Sequence, residues 1–178
     1  MNRYIGNIKV NMEYSSSWYA LHTAPRAEKK VKERLEEQGI ENYLPLKIET
    51  RIWSDRKKKI AVPLIPGYIF VCVSANDFLK VLNTTGAVAF LKEKSAPAAI
   101  PVDQIRRLRM MVEHAVDEIE FINNPLRIGD KIRVKQGELE GLIGDLIEMR
   151  GKYKIAIRLQ YFGCALTTIP LGWIEKLE

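Results

Sequence analysis

The apolar and polar positions of this chain change rhythm along its length. Trp18-Tyr19-Ala20-Leu21 is a short aromatic-rich apolar run, which predicts a strand. Ala24, Ala27, Val31 and Leu35 then recur at three- and four-residue spacing among charged neighbours, which predicts a helix over about 24–38. Thr23 is its candidate cap, Pro25 suits its first turn, Glu28 and Lys32 stand as an i,i+4 pair, and Gly39 is the expected stop. An extended segment, 40–48, follows with Pro45 on an edge. Residues 50–60 read as a hairpin turning at Ser54-Asp55, and 68–73 is the most strand-like run of the sequence. A short helix capped by Ser74 or Asn76 carries Phe78, Val81 and Leu82 on one side. A strand over 87–91 comes next, then a loop marked by Pro97 and Pro101. A last helix follows, capped by Asp103, with Ile105, Leu108, Val112 and Ala115 or Val116 turned inward.

This order of strands and helices predicts a ferredoxin-like α/β sandwich over 18–116 with its helices on one face. Residues 1–17 have no clean period and read as an extension. Residues 117–126 are acidic and hold the breaker Asn123-Asn124-Pro125, which predicts a linker. From 127 to 178 the rhythm becomes one of alternation. Runs at 132–134, 142–149, 153–159, 166–169 and 173–177 are separated by glycine-bearing turns, which predicts a small five-stranded β-barrel. Phe162 and Trp173 are expected to supply much of its burial. The fold class is therefore α+β.

Composition narrows the function. The net charge of +6 arises within 18–116, and Arg51, Arg56, Lys57, Lys58 and Lys59 are packed into one hairpin. Nucleic acid or another acidic surface is one reading of this run; a solvated charged face is the other. No apolar run is long enough to span a bilayer, and the first ten residues lack the apolar core of a signal peptide, so a cytoplasmic protein without a membrane partner is expected. Two cysteines do not make a disulfide scaffold, and Cys72 reads as a core residue. The two histidines, His22 and His114, form no metal-ligand spacing with cysteine, and no nucleophile has a base nearby in sequence. Residues 137–141 imitate a glycine-rich loop, but lack the Lys-Ser/Thr of a P-loop and carry two glutamates that repel phosphate. A non-enzymatic protein without cofactor or metal is expected.

Three groups of residues carry a family resemblance. The first is Trp18-Tyr19 followed by Glu28-Lys29-Lys30-Val31-Lys32-Glu33-Arg34-Leu35. The second is Pro66-Gly67-Tyr68 before Phe70-Val71, with Gly86 to Leu91 some way on. The third is Ile128-Gly129-Asp130-Lys131-Ile132-Arg133-Val134 with Gly137, Glu140-Gly141 and Gly144. The first two resemble the N-terminal (NGN) domain of NusG-family transcription elongation factors, and the third resembles their C-terminal KOW domain, an SH3-like β-barrel.

The resemblance implies a monomeric factor that binds the clamp helices of bacterial RNA polymerase and suppresses pausing or termination. The implied polymerase-binding positions are Trp18, Tyr19, Leu64, Ile65, Pro66, Gly67 and Tyr68, although Trp18 and Tyr68 read equally well as core aromatics. Asn83-Thr84-Thr85 matches a second contact loop, with Asn where the related factor RfaH has His; a plain helix-end turn is the alternative. The basic hairpin, with Lys47, Arg51, Trp53, Arg56, Lys57, Lys58 and Lys59, is then placed to follow DNA of the transcription bubble, phosphates on the cations and a base on the indole. Leu139, Phe162 and Ile169 are the candidate surface for a KOW partner, a ribosomal protein or Rho. Ile65 before Pro66-Gly67, Gly137-Glu138-Leu139, and the lack of a Gly-Arg pair near Phe162 to Pro170 resemble specialised paralogues. Among these are the UpxY-type antiterminators of capsular-polysaccharide operons. A general housekeeping NusG, or a ribosome- or RNA-binding KOW protein, are the alternatives.

Overall fold

The computed structural model describes residues 15–53, 56–122, 129–149 and 151–177. The expectations placed on 1–14, on the Ser54-Asp55 turn, on Ile128 and on Asn123-Asn124-Pro125 lie outside these residues.

The first sheet is built around β1 (Ser17–Thr23). One edge of β1 pairs antiparallel with β5 (Tyr68–Val73), and β5 in turn pairs with β2 (Glu41–Tyr43). The other edge of β1 takes β6 (Ala87–Phe90) and β9 (Ala99–Ile100). A separate two-stranded ribbon, β3 (Leu46–Ile52) and β4 (Lys57–Pro63), stands between β2 and β5 in sequence. A minimal hairpin, β7 (Lys92–Glu93) and β8 (Ala96–Pro97), precedes β9.

Both faces of the sheet are buried. Alternation along β1 and β5 sends Leu21, Ile69, Val71 and Val73 to one side, where they pack with Val31 and Leu35 of α1 (Glu28–Glu37) and Val81 of α2 (Phe78–Leu82). Trp18, Ala20 and Phe70 go to the other side and meet Ile105, Leu108 and Met111 of α3 (Val102–His114). The helices therefore lie on both faces, not on one as expected. The inner line of α3 adds Met111 to Ile105 and Leu108, with Val112 and Ala115 partly buried against the same cluster and Val116 exposed.

Local chemistry corrects further expectations. Helix α1 starts at Glu28, with Ala27 as its cap, and Thr23 is the last residue of β1. Lys32 pairs with Glu36, because Glu28 is turned inward. Pro101, not Asp103, precedes α3; Asp103 sits in its first turn and accepts a hydrogen bond from Arg106 Nη2 at 2.8 Å. Ser74 precedes the 3₁₀ turn Ala75–Asp77 that leads into α2, but its hydroxyl donates to Asp77 Oδ2 at 2.7 Å instead of capping a backbone N–H as expected.

The second sheet is a six-stranded antiparallel array, one strand more than expected. Its order is β10 (Glu120–Ile122), β14 (Gly163–Thr168), β13 (Lys152–Leu159), β12 (Ile143–Met149), β11 (Lys131–Val134), β15 (Ile174–Lys176). The additional strand, β10, comes from the segment expected as a linker. Buried Lys154 holds it by an ion pair to Glu120, and Ile119 beside it enters the core. Trp173 is half-exposed and lies over Gly137 at the sheet's end, so it does not fill a barrel core as expected.

Gly129 explains one residue of the third motif. A Cβ there would fall on the carbonyl oxygen of Leu146, whose N–H donates to Asp130 O at 2.8 Å. Gly129→Ala is expected to lower stability by about 2 kcal/mol, because the β12 backbone cannot yield without losing that bond. Chemical denaturation would read it.

Candidate functional site

The site is built on the turn between β4 and β5. Leu64 N–H donates to Pro45 O at 2.8 Å and seats Leu64 and Ile65 in the core. Pro66 is exposed, and Gly67 takes φ +81°, a backbone conformation that side chains with a Cβ rarely adopt. The Gly67 carbonyl accepts from Thr23 N–H, and its N–H donates to Glu28 Oε1, each at 2.8 Å. Tyr68 then opens β5 opposite His22, with ring centroids 5.2 Å apart.

This arrangement gathers Trp18, Leu64, Ile65 and Tyr68 on the α3 side of the first sheet, together with Phe70. Tyr19 is not among them. Its neighbour Trp18 points one way, so Tyr19 points the other, edge-on to Phe78 at 5.0 Å. Trp18 is 7% exposed, with the Arg109 guanidinium 5.9 Å from its ring centroid. The same guanidinium lies 4.8 Å from the Tyr43 ring. Burial, then the nearby Glu113 carboxylate, push the Tyr43 phenol far above its ordinary pKa, with Arg109 opposing.

The second sheet closes over this face. Phe162, 9% exposed, packs edge-to-face on Tyr68 (centroids 4.9 Å) and on Phe70 (5.8 Å). Beside it, Gln160 N–H donates to Gln104 Oε1 at 2.7 Å, and the Tyr161 hydroxyl donates to Glu93 Oε2 at 2.8 Å. That second bond raises the Tyr161 pKa. One apolar cluster thus runs from the first sheet through α3 into Ile132, Val134, Ile155 and Ile157 of the second. Leu139, Phe162 and Ile169, the candidate partner surface, are all buried, so none of them forms open surface in this arrangement.

The Asn83–Thr85 loop divides. Asn83 and Thr85 are exposed, whereas Thr84 is buried and accepts from Gln38 Nε2 at 3.0 Å. Arg34 Nη1 donates to Thr85 O at 2.6 Å. Helix α1 therefore ties this loop from beneath.

The basic ribbon projects its cations into solvent. Arg51, Arg56, Lys57, Lys58 and Lys59 are exposed, Lys47 is half-buried, and Trp53 at the tip is 60% exposed. The Trp53 N–H donates to Arg56 O at 2.8 Å to close the tip, and Lys29 Nζ donates to Ala61 O at 2.7 Å near the base. Pairing fixes two faces. Arg51 opposes Lys58, on the side where Lys47 and Glu49 form a 3.0 Å ion pair; Thr50 opposes Lys59 and Ile52 opposes Lys57 on the other. Ile48 and Ile52 stand exposed on that second face. The sequence reading passed over these two isoleucines, although their spacing of four within a strand puts them on one side.

Among the described residues there is no group of three or more His, Cys, Asp or Glu that could hold a metal, and no helix is long and apolar enough to cross a membrane. Burial, then Glu41, push the Cys72 thiol up, away from nucleophilic character.

These are the surfaces of a mixed α/β protein: an aromatic seam between two sheets and a cationic ribbon beside it. A family model described as "Transcription termination factor nusG" matches residues 16–109, more than half the sequence, and the chain belongs to the NusG family. The transcription termination/antitermination protein NusG of Staphylococcus carnosus is 27% identical over 178 aligned positions, covering 90% of this chain and 95% of that protein. That of Staphylococcus epidermidis is 27% identical over 173 positions. A structure titled "Domain interaction in Thermotoga maritima NusG" superposes over 92% of this chain and 98% of that one, with a TM-score of 0.51 and 18% identity, a likeness of fold.

Proposed function

We propose that the chain is a transcription termination/antitermination factor that docks on RNA polymerase through Trp18, Leu64, Ile65 and Tyr68. One observation carries this reading: Trp18 converges with Leu64, Ile65 and Tyr68, far along the chain, on one sheet face, around a turn fixed at both backbone groups of Gly67. A prebuilt aromatic anchor loses little freedom on binding. Residues 18–116 form the docking domain, and the second sheet, from β10 to β15, a KOW-like, partner-recruiting domain.

In this reading the arrangement described above is a closed one. Phe162 packs on Tyr68 and Phe70 of the docking face, and its departure uncovers these two rings and part of the candidate partner surface together. The basic ribbon contacts nucleic acid of the bubble. The directly opposed Arg51 and Lys58 repel one another, a cost that a bound phosphate backbone removes. Replacing Lys57, Lys58 and Lys59 by Gln is expected to weaken binding to a bubble template and to flatten its salt dependence by a log–log slope of about 2–3. A salt titration by fluorescence anisotropy measures this.

Ile65 at the turn and Gly137-Glu138-Leu139 in the second domain favour a specialised, operon-restricted antiterminator. The match along 95% of a staphylococcal NusG favours a general factor. In vitro transcription tests both. The proposal expects added protein to change readthrough at a terminator. A specialised factor does so only on templates carrying its own operon's leader, a general one on all. Unchanged readthrough on every template, with no binding to polymerase, rejects the proposal.

A further inference from the structure

The turn that presents Tyr68 does not hold itself in place. Its own closing hydrogen bond, Tyr68 N–H to Ile65 O, is long at 3.4 Å. The short bonds come from outside: Thr23 N–H to the Gly67 carbonyl, and the Gly67 N–H to Glu28 Oε1. Glu28 is 6% exposed, in the first turn of α1, on a helix whose other glutamates are mostly exposed. A carboxylate withdrawn from water at that position has a task, because an amide bond to a charged acceptor is among the stronger hydrogen bonds a protein makes. Farther along the same helix, Arg34 and Gln38 hold Thr85 and Thr84.

We infer that Glu28 is a positioning residue for the polymerase-docking face: it fixes the Gly67 amide and with it the direction in which Tyr68 leaves the turn. Helix α1 thereby sets the Pro66–Tyr68 turn and the Asn83–Thr85 loop on one rigid support. This rests on the docking reading above. Glu28 itself touches no partner; it acts through Gly67.

The test uses the full chain and two variants of opposite character. Glu28→Gln keeps the reach and an accepting oxygen but loses the charge. Glu28→Asp keeps the charge at the helix N-terminus but withdraws the oxygen by one methylene. Amide hydrogen exchange at Gly67 and titration against core RNA polymerase are measured for each, beside Phe162→Ala with and without Tyr68→Ala. Glu28→Gln is expected to lose less than Glu28→Asp in both readouts, since a neutral acceptor still within reach keeps about half of the bond. Glu28→Asp is expected to exchange Gly67 at least about tenfold faster and to bind polymerase about tenfold more weakly, the loss of one hydrogen bond. A Glu28→Asp protein with wild-type exchange and affinity overturns the inference. So does a Glu28→Gln protein more impaired than Glu28→Asp, since the helix-terminus charge, which Asp keeps, would then be at work rather than the bond to Gly67. If Tyr68→Ala in a Phe162→Ala background, where the second sheet no longer covers the ring, binds polymerase like Phe162→Ala alone, the docking reading fails, and Gly67 exchange still judges whether Glu28 holds the turn.

Discussion

Phe162→Ala is expected to release the second sheet from the first and to tighten polymerase binding by about tenfold or more. Phe162 is 9% exposed and makes edge-to-face contacts with Tyr68 and Phe70. Burying a phenylalanine contributes roughly 1.5–3 kcal/mol, and each aromatic pair adds about 0.5–1.5 kcal/mol. What remains at that contact is the apolar packing of α3 on the second sheet and the polar bonds Gln160–Gln104 and Tyr161–Glu93, both at exposed groups. Exposed bonds of this kind contribute little, because water replaces them. The open form therefore gains in population, and the apparent Kd for a partner of the covered face falls in proportion until opening is complete. Small-angle scattering should register a larger radius of gyration, and a polymerase titration the tighter binding. Ile132, Val134, Leu142 and Ile155 stay buried on the second unit's own strands and adjoining turn, and keep that unit folded when Phe162 is cut back.

The second large effect concerns Tyr68, whose truncation removes two contacts at once. Tyr68 belongs to the docking face and also to the closed contact, so Tyr68→Ala alone opens the protein while removing its anchor. The clean comparison is made in the Phe162→Ala background. There the loss of Tyr68 is expected to cost about 2 kcal/mol or more, as central aromatic anchors do, which is roughly thirtyfold in Kd. Its ring is only partly buried in the closed form and rests on exposed His22 on its other side. The fold therefore loses less than it would at Phe70, which is fully buried.

The sequence was most legible where one periodicity ran unbroken. The apolar line of α1, the alternation of β12 and β13, and the ribbon of lysines each reported their own element. It was misleading where burial has two sides. Strands β1 and β5 are apolar on both faces, so their pattern could not tell which face took which helix, and α3 was assigned beside α1 instead of opposite it. The same ambiguity put Tyr19 beside Trp18. In the sequence Glu28 reads as half of an i,i+4 ion pair because such a carboxylate and lysine look alike whether exposed or buried; only the arrival of the Gly67 amide, from far along the chain, turns it inward. Strand β10 was hidden by its acidic composition, since Glu120 owes its place to a buried lysine on a strand that follows much later. Phe162 read as core of its own half. Its true neighbours, Tyr68 and Phe70, come from the other.

The most direct test is one titration of core RNA polymerase with three full-length proteins: wild type, Phe162→Ala, and Phe162→Ala with Tyr68→Ala. The account predicts that the single variant binds more tightly than the wild type and that the double variant loses most of the affinity. Equal affinity for all three, or no binding by any, would contradict it.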